Sequence, residues 1–101
     1  MSQHIFTTAH KGRPIEIMIG WDRPLQGYFM VIEYTDGADD DDNPYLYSNL
    51  NDADLPSSHP KELSEFLARL KSLALAVPQK MLQEVLEDGR ANVGNKQVHY
   101  N

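Results

Sequence analysis

Four consecutive aspartates, Asp39, Asp40, Asp41 and Asp42, are the strongest concentration of ionisable side chains in this sequence. With Asp36, Asp52 and Asp54 they place seven carboxylates between positions 36 and 54, a segment that contains no lysine or arginine. The rest of the chain holds nine basic and eight acidic residues, so the whole of the net charge of −6 belongs to that one segment. Carboxylates so concentrated have three uses. A block of like charges is commonly a solvated loop. It also serves as an electrostatic docking element, because its potential is felt over a Debye length of ~8 Å at physiological salt and steers a basic partner. The third use is a calcium or magnesium site. Against it, the run lacks the alternating acidic order, the glycine and the closing glutamate of an EF-hand loop, and adjacent aspartates point in different directions.

Other candidate chemistry is sparser. His4 and His10 are separated by an even number and fall on one face of a regular strand, whereas His59 and His99 stand apart. No helical His pair or acidic residue at ligand spacing joins them, so solvated histidines are expected and no metal is assigned. Ser57 and Ser58 lie beside His59 in a turn, but neighbours in sequence do not make a triad, and no nucleophile elbow is present. Gly20, Gly27, Gly37 and Gly94 form no phosphate-cradling pattern. The sequence reads as non-catalytic and without a cofactor. Tyr45 and Tyr47 follow the acidic run directly, and a regular strand would put both on one face. Aromatic side chains beside carboxylates at an exposed edge are the material of an interface with a charged rim.

The elements that position these groups are legible from periodicity. Ile15, Ile17, Ile19 and Trp21 recur at every second position, and Tyr28 to Ile32 is apolar on both sides, so two strands are expected, joined through Pro24 and Gly27. Residues 4–9 make an earlier strand that turns at Gly12 into the strand opened by Pro14. Tyr45, Leu46 and Tyr47 form a short fourth strand suited to an edge. A helix is expected from Pro60, capped by Ser58 or His59, with Leu63, Phe66, Leu67, Leu70, Leu73, Ala74 and Val77 as its apolar stripe. Pro78 starts a second helix, with Met81, Leu82, Val85 and Leu86 on its buried face and Gly89 as its C-terminal cap. Residues 92–101 read equally as a last strand, through Val98 and Tyr100, or as a frayed end. The fold class is α+β: a two-layer antiparallel sheet of three to five strands in a meander, with two C-terminal helices on one face, in a single domain of residues 1–101.

Composition narrows the function classes. There is no cysteine, which removes disulfides, thiolate metal sites and cysteine nucleophiles and suits a reducing, cytoplasmic setting. No stretch approaches the ~20 apolar residues of a membrane span. A basic stripe for a nucleic-acid backbone is missing, so direct nucleic-acid binding is not expected. Leftover apolar surface on the second helix, Met81 and Val85 especially, would allow a homodimer.

The residues Gly20 to Leu25, Tyr28 to Glu33 and Tyr45 to Leu50 resemble the pattern of small bacterial accessory proteins carried on plasmids, prophages and integrated elements. In size, acidity and two-layer α+β shape the chain is similar to anti-CRISPR inhibitors. That resemblance implies action by binding, with carboxylates presented to a basic nucleic-acid-binding channel. The expectation is a non-catalytic acidic module that docks on a basic surface of a partner protein through Asp36, Asp39, Asp40, Asp41, Asp42, Tyr45 and Tyr47. The alternatives are a small calcium- or magnesium-dependent domain or enzyme using the same aspartates with His4 or His10, and a dimeric accessory domain.

Overall fold

In the computed structural model, which describes residues 1–35 and 45–100, five strands form one sheet in the order β4-β3-β2-β1-β5. The strands are β1 (Ser2–His10), β2 (Arg13–Asp22), β3 (Gly27–Tyr34), β4 (Tyr45–Ser48) and β5 (Lys96–Tyr100). A 3-10 turn (Asn49–Asn51) and two helices, α1 (Ser64–Ser72) and α2 (Gln79–Ala91), lie between β4 and β5. Asp36, Asp39, Asp40, Asp41 and Asp42 lie outside the described residues.

The first four strands are the expected antiparallel meander. The first hairpin pairs His10 with Arg13 across a two-residue turn in which Lys11 and Gly12 both take positive φ, 52° and 81°, the mirror-image turn that matches strand twist. At the second turn the left-handed corner falls on Gln26 (φ 52°) and not on Gly27, which already belongs to β3. The tail is a strand, and it runs parallel to β1, so the sheet is mixed. Two helices intervene between β4 and β5, and this crossover carries the chain from one edge of the sheet to the other.

Cross-strand register shows why the alternation made one buried face. Ile15, Ile17, Ile19 and Trp21 stand opposite Tyr34, Ile32, Met30 and Tyr28, and these rows turn toward the helices. Phe66 and Leu70 of α1 and Met81 and Val85 of α2 complete a single cluster with them. Ile15, Ile17, Ile19, Met30, Ile32, Met81 and Val85 are fully buried. Burying each such side chain contributes roughly 1.5–3 kcal/mol, which makes this layer the main stabilising term. Met81 and Val85 therefore belong to the core and offer no surface to a second copy.

The helices differ from the expectation at their ends. Pro60 does not start α1, because its carbonyl accepts from Tyr28 N (2.8 Å) and serves as an edge partner of β3. The helix begins four residues later, and neither Ser58 nor His59 caps it: His59 lies 3.6 Å from Asp22, and the Ser58 carbonyl accepts from Asn49 Nδ2 at 2.7 Å. α1 stops at Ser72, where Ala74 turns left-handed (φ 57°) and Leu75 N returns to the Leu70 carbonyl at 2.9 Å. Leu73 and Val77 still pack on the core from the connecting segment, whereas Leu67 is exposed. Gly89 lies inside α2 and does not cap it; Asn92 does, with φ 53°. The glycine is needed for space, since a Cβ at position 89 would run into the Tyr28 hydroxyl.

Candidate functional site: a groove along the edge strand

Of the expected partner-binding residues, Tyr45 and Tyr47 fall within the described structure, and both lie on β4. An open groove of about 690 Å³ runs along this edge strand, walled by the segment after it and by α1, with Tyr45, Tyr47, Asp52, Asp54, Arg69 and Ser72 among its lining residues. Its wall is organised by Asp52. One carboxylate oxygen accepts from Arg69 Nε at 2.8 Å and from the Tyr47 hydroxyl at 2.6 Å, and the other accepts from Asp54 N at 3.0 Å. Arg69 also donates to the Glu65 carboxylate at 2.9 Å, one turn earlier on α1. The Tyr47 ring meets Phe66 edge-on, centroids 6.4 Å apart, which anchors the groove wall to the core.

This arrangement sets the electrostatics. The Arg69 guanidinium, followed by the Tyr47 hydroxyl, holds the Asp52 carboxyl below its usual range against the opposing effect of burial. The same carboxylate raises Arg69. Burial, then the bond and the charge of Asp52, push the Tyr47 hydroxyl well above its ordinary value. Asp52 is thus a structural carboxylate held by its own molecule, and it is not part of a free acidic surface. Asp54 uses its backbone N–H in this network and remains exposed.

Tyr45 and Tyr47 do not share a sheet face. Glu33 pairs with Tyr45 and Ile32 with Tyr47, across a register irregularity between Ile32 and Glu33. Ile32 and Glu33 are consecutive and point to opposite sides, so their partners do too; a bulge inserts the extra residue that breaks the alternation. Tyr47 faces the helices. Tyr45, 44% exposed, lies on the other side, and both border the groove.

His4 proves to be the unforeseen centre of a second cluster. It is fully buried, with Nε2 2.5 Å from Asp88 Oδ2 and Nδ1 2.7 Å from the Tyr100 oxygen. The Tyr100 hydroxyl donates in turn to Glu84 at 2.9 Å, so His4 links Asp88 on one side to Tyr100 and Glu84 on the other. Lys96 Nζ donates to the second Asp88 oxygen at 3.1 Å, and the Ser2 hydroxyl bonds Asp88 while accepting from Trp21 N at 3.0 Å. Among the described residues no buried side-chain polar atom lacks a partner. Burial opposes ionisation of Asp88, but the bonds from His4, Lys96 and Ser2 together outweigh it and keep the carboxyl below its usual range.

The sequence held a signal for this cluster. His4 sits between Ser2 and Phe6 on the alternation that faces the core, and Asp88 continues the buried stripe of Met81 and Val85 at helical spacing. A polar residue on a core face requires a partner. His10 does not join: six residues of strand, about 20 Å, separate it from His4. Among the described residues, no group of three or more histidine, aspartate or glutamate side chains is arranged to hold a metal ion. No helix among them is long and apolar enough to cross a membrane.

Comparison with known proteins gives no match: no family model fits the chain, and no curated protein or solved structure is significantly similar to it.

Proposed function

We propose that the protein is a non-catalytic binding module that docks on a basic surface of a partner protein. Association is steered by Asp36, Asp39, Asp40, Asp41 and Asp42, and contact is made by the neighbouring β4 region through Tyr45. The supporting observation is the charge distribution: the entire net charge of −6 lies in a segment of the chain that joins β3 to β4 and continues past the groove. Such a concentration raises encounter rates with a positive surface and makes them fall with salt. Tyr47, hydrogen-bonded to Asp52 and set against Phe66, supports the contact region from behind.

The test replaces Asp39, Asp40, Asp41 and Asp42 by asparagine together and measures retention on immobilised poly-lysine across a salt series. The wild-type chain should be retained and release as salt rises, while the quadruple variant, with unchanged urea midpoint, releases much earlier. Equal retention of the two proteins would refute steering by this segment.

A further inference from the structure

We propose that the outer edge of β5 joins two copies of this chain: β5 of each pairs antiparallel with β5 of the other about a two-fold axis at Val98, making one continuous sheet. This contact goes beyond the docking reading and does not rest on it, since β5 lies at the edge of the sheet opposite β4.

The first support is the state of the edge. β5 ends the sheet, and residues 96–100 make no backbone–backbone hydrogen bond beyond their ladder with β1 among the described residues. A strand so placed turns about half of its N–H and C=O groups outward, as a template for another strand. The usual safeguards are weak here. β5 holds no proline, and its pairing with β1 keeps one register from Ser2–Lys96 to Phe6–Tyr100. Its one lysine is drawn back onto its own molecule, because Lys96 Nζ donates to Asp88 at 3.1 Å. Lys96, Gln97 and His99 are exposed, and Val98 and Tyr100 are half-buried.

Register selects a second copy as the occupant. Reversing β5 about Val98 sets Val98 against the partner's Val98, Lys96 against the partner's Tyr100, and Gln97 against the partner's His99. Lys96 and Tyr100 share the helix-facing side, as their bonds to Asp88 and Glu84 of α2 establish. There each ammonium meets an aromatic ring whose hydroxyl is already bound to a carboxylate, a favourable cross-strand pair made twice by symmetry. The two Lys96 side chains stand four residues apart along the paired strands, about 13 Å. On the other side Gln97, bonded to Gln3 at 3.1 Å, lies opposite the partner's imidazole. A cleft of about 480 Å³ at the start of β5 is lined by Met1, Gln3, Asn95, Lys96 and Gln97, and the reversed strand brings the partner's His99 and Tyr100 alongside it. Neither β5 nor this lining carries a carboxylate, so pairing forces no negative charges together despite a net charge of −6. A contact along one short strand is small beside the about 1,200–2,000 Å² of a stable interface, so association is reversible and depends on concentration.

Sedimentation velocity of the full chain, from micromolar to millimolar concentration, should show a monomer giving way to a dimer. Over the same range amide exchange in β5 should slow while that in β2 stays constant. Gln97→Lys with His99→Lys sets like charges opposite each other and should weaken dimerisation about tenfold or more. Gln97→Glu with His99→Glu should do the same alone, whereas an equimolar mixture of the two variants should associate again as a heterodimer. The chain has no cysteine of its own, so Val98→Cys reads the register: mild oxidation should link it to a dimer, and His99→Cys should cross-link far less. Unchanged urea midpoints show that the variants fold, and the exchange measurement on the wild-type chain needs no variant. A monomer at the highest soluble concentration, a dimer indifferent to both charge variants, no association in their mixture, or equal cross-linking by the two cysteines would overturn β5 pairing.

Discussion

His4 Nε2 lies 2.5 Å from Asp88 Oδ2, joining the first strand to the last turn of α2 across 84 positions of sequence. Both side chains are almost completely removed from solvent. Ser2 and Lys96 approach the same carboxylate, and Tyr100 and Glu84 continue the chain of bonds from the other ring nitrogen. β1, β5 and α2 are therefore fastened at one point.

Removing one member leaves the other buried without compensation. His4→Ala should lower stability by about 3–5 kcal/mol, read as a shift in urea midpoint, because an unpaired buried carboxylate retains its desolvation cost. Tyr100→Phe should cost less, about 1–3 kcal/mol, since it strands hydrogen-bonding groups of His4 and Glu84 without removing the His4–Asp88 contact. Equal, small losses in both would show that water replaces the network readily.

The acid limb of stability should follow two carboxyls. Asp88 and Asp52 are held below their ordinary value of about 3.9, so each contributes stability that is present above that value and is lost as pH falls through the folded one. Stability should fall below about pH 4, and Asp52→Asn should make that limb shallower while lowering the plateau at neutral pH. Urea unfolding at a series of pH values measures both.

The alkaline limb has the opposite sign. Tyr28, Tyr47 and Tyr100 are all pushed above the ordinary phenol value: burial dominates in each, Asp52 adds to it for Tyr47, Glu84 for Tyr100 and Asp88 for Tyr28, where Arg90 partly offsets it. A raised folded value gives stability that is complete below about pH 10 and lost as pH rises beyond it. A spectrophotometric titration should show part of the tyrosine absorbance change appearing only as the chain unfolds.

Gly89→Ala should destabilise the protein although alanine favours helix by about 1 kcal/mol. The new methyl meets the Tyr28 hydroxyl and the ring carbon bearing it, and overpacking of this kind costs about 1–3 kcal/mol. Tyr28→Phe in the same chain should restore part of the loss, a coupling read by a double-mutant cycle in thermal unfolding.

These relationships mark where the sequence stopped being informative. The period of two in Ile15, Ile17, Ile19 and Trp21 and the helical spacing of Phe66, Leu70, Met81 and Val85 revealed both layers and the face on which they meet, because burial imposes those periods directly. Periodicity carries no strand direction, and over so short a tail Val98 and Tyr100 left a strand and a frayed end both open; the structure has a strand there, running parallel to β1. Local preference also misplaced the helix ends. Pro60 is a good first helical residue, yet its carbonyl is taken by Tyr28; Gly89 is a good cap, yet the space beside Tyr28 is what requires it. The groove was half legible: Tyr45 and Tyr47 border it, but the extra residue at the bulge and the capture of Asp52 by Arg69 depend on contacts between distant segments.

The parallel pairing of Ser2 to Phe6 with Lys96 to Tyr100 also dictates an order of events at the ribosome. β1 leaves the ribosome before β5, and the side of β1 that β5 covers is closed only once β5 has followed, at a synthesis rate of about 5–20 residues per second. Throughout that interval the nascent chain exposes Ser2 and His4 without the Lys96 and Tyr100 that complete their bonds. Factors that shield unfinished sheets should accordingly engage the nascent chain at β1.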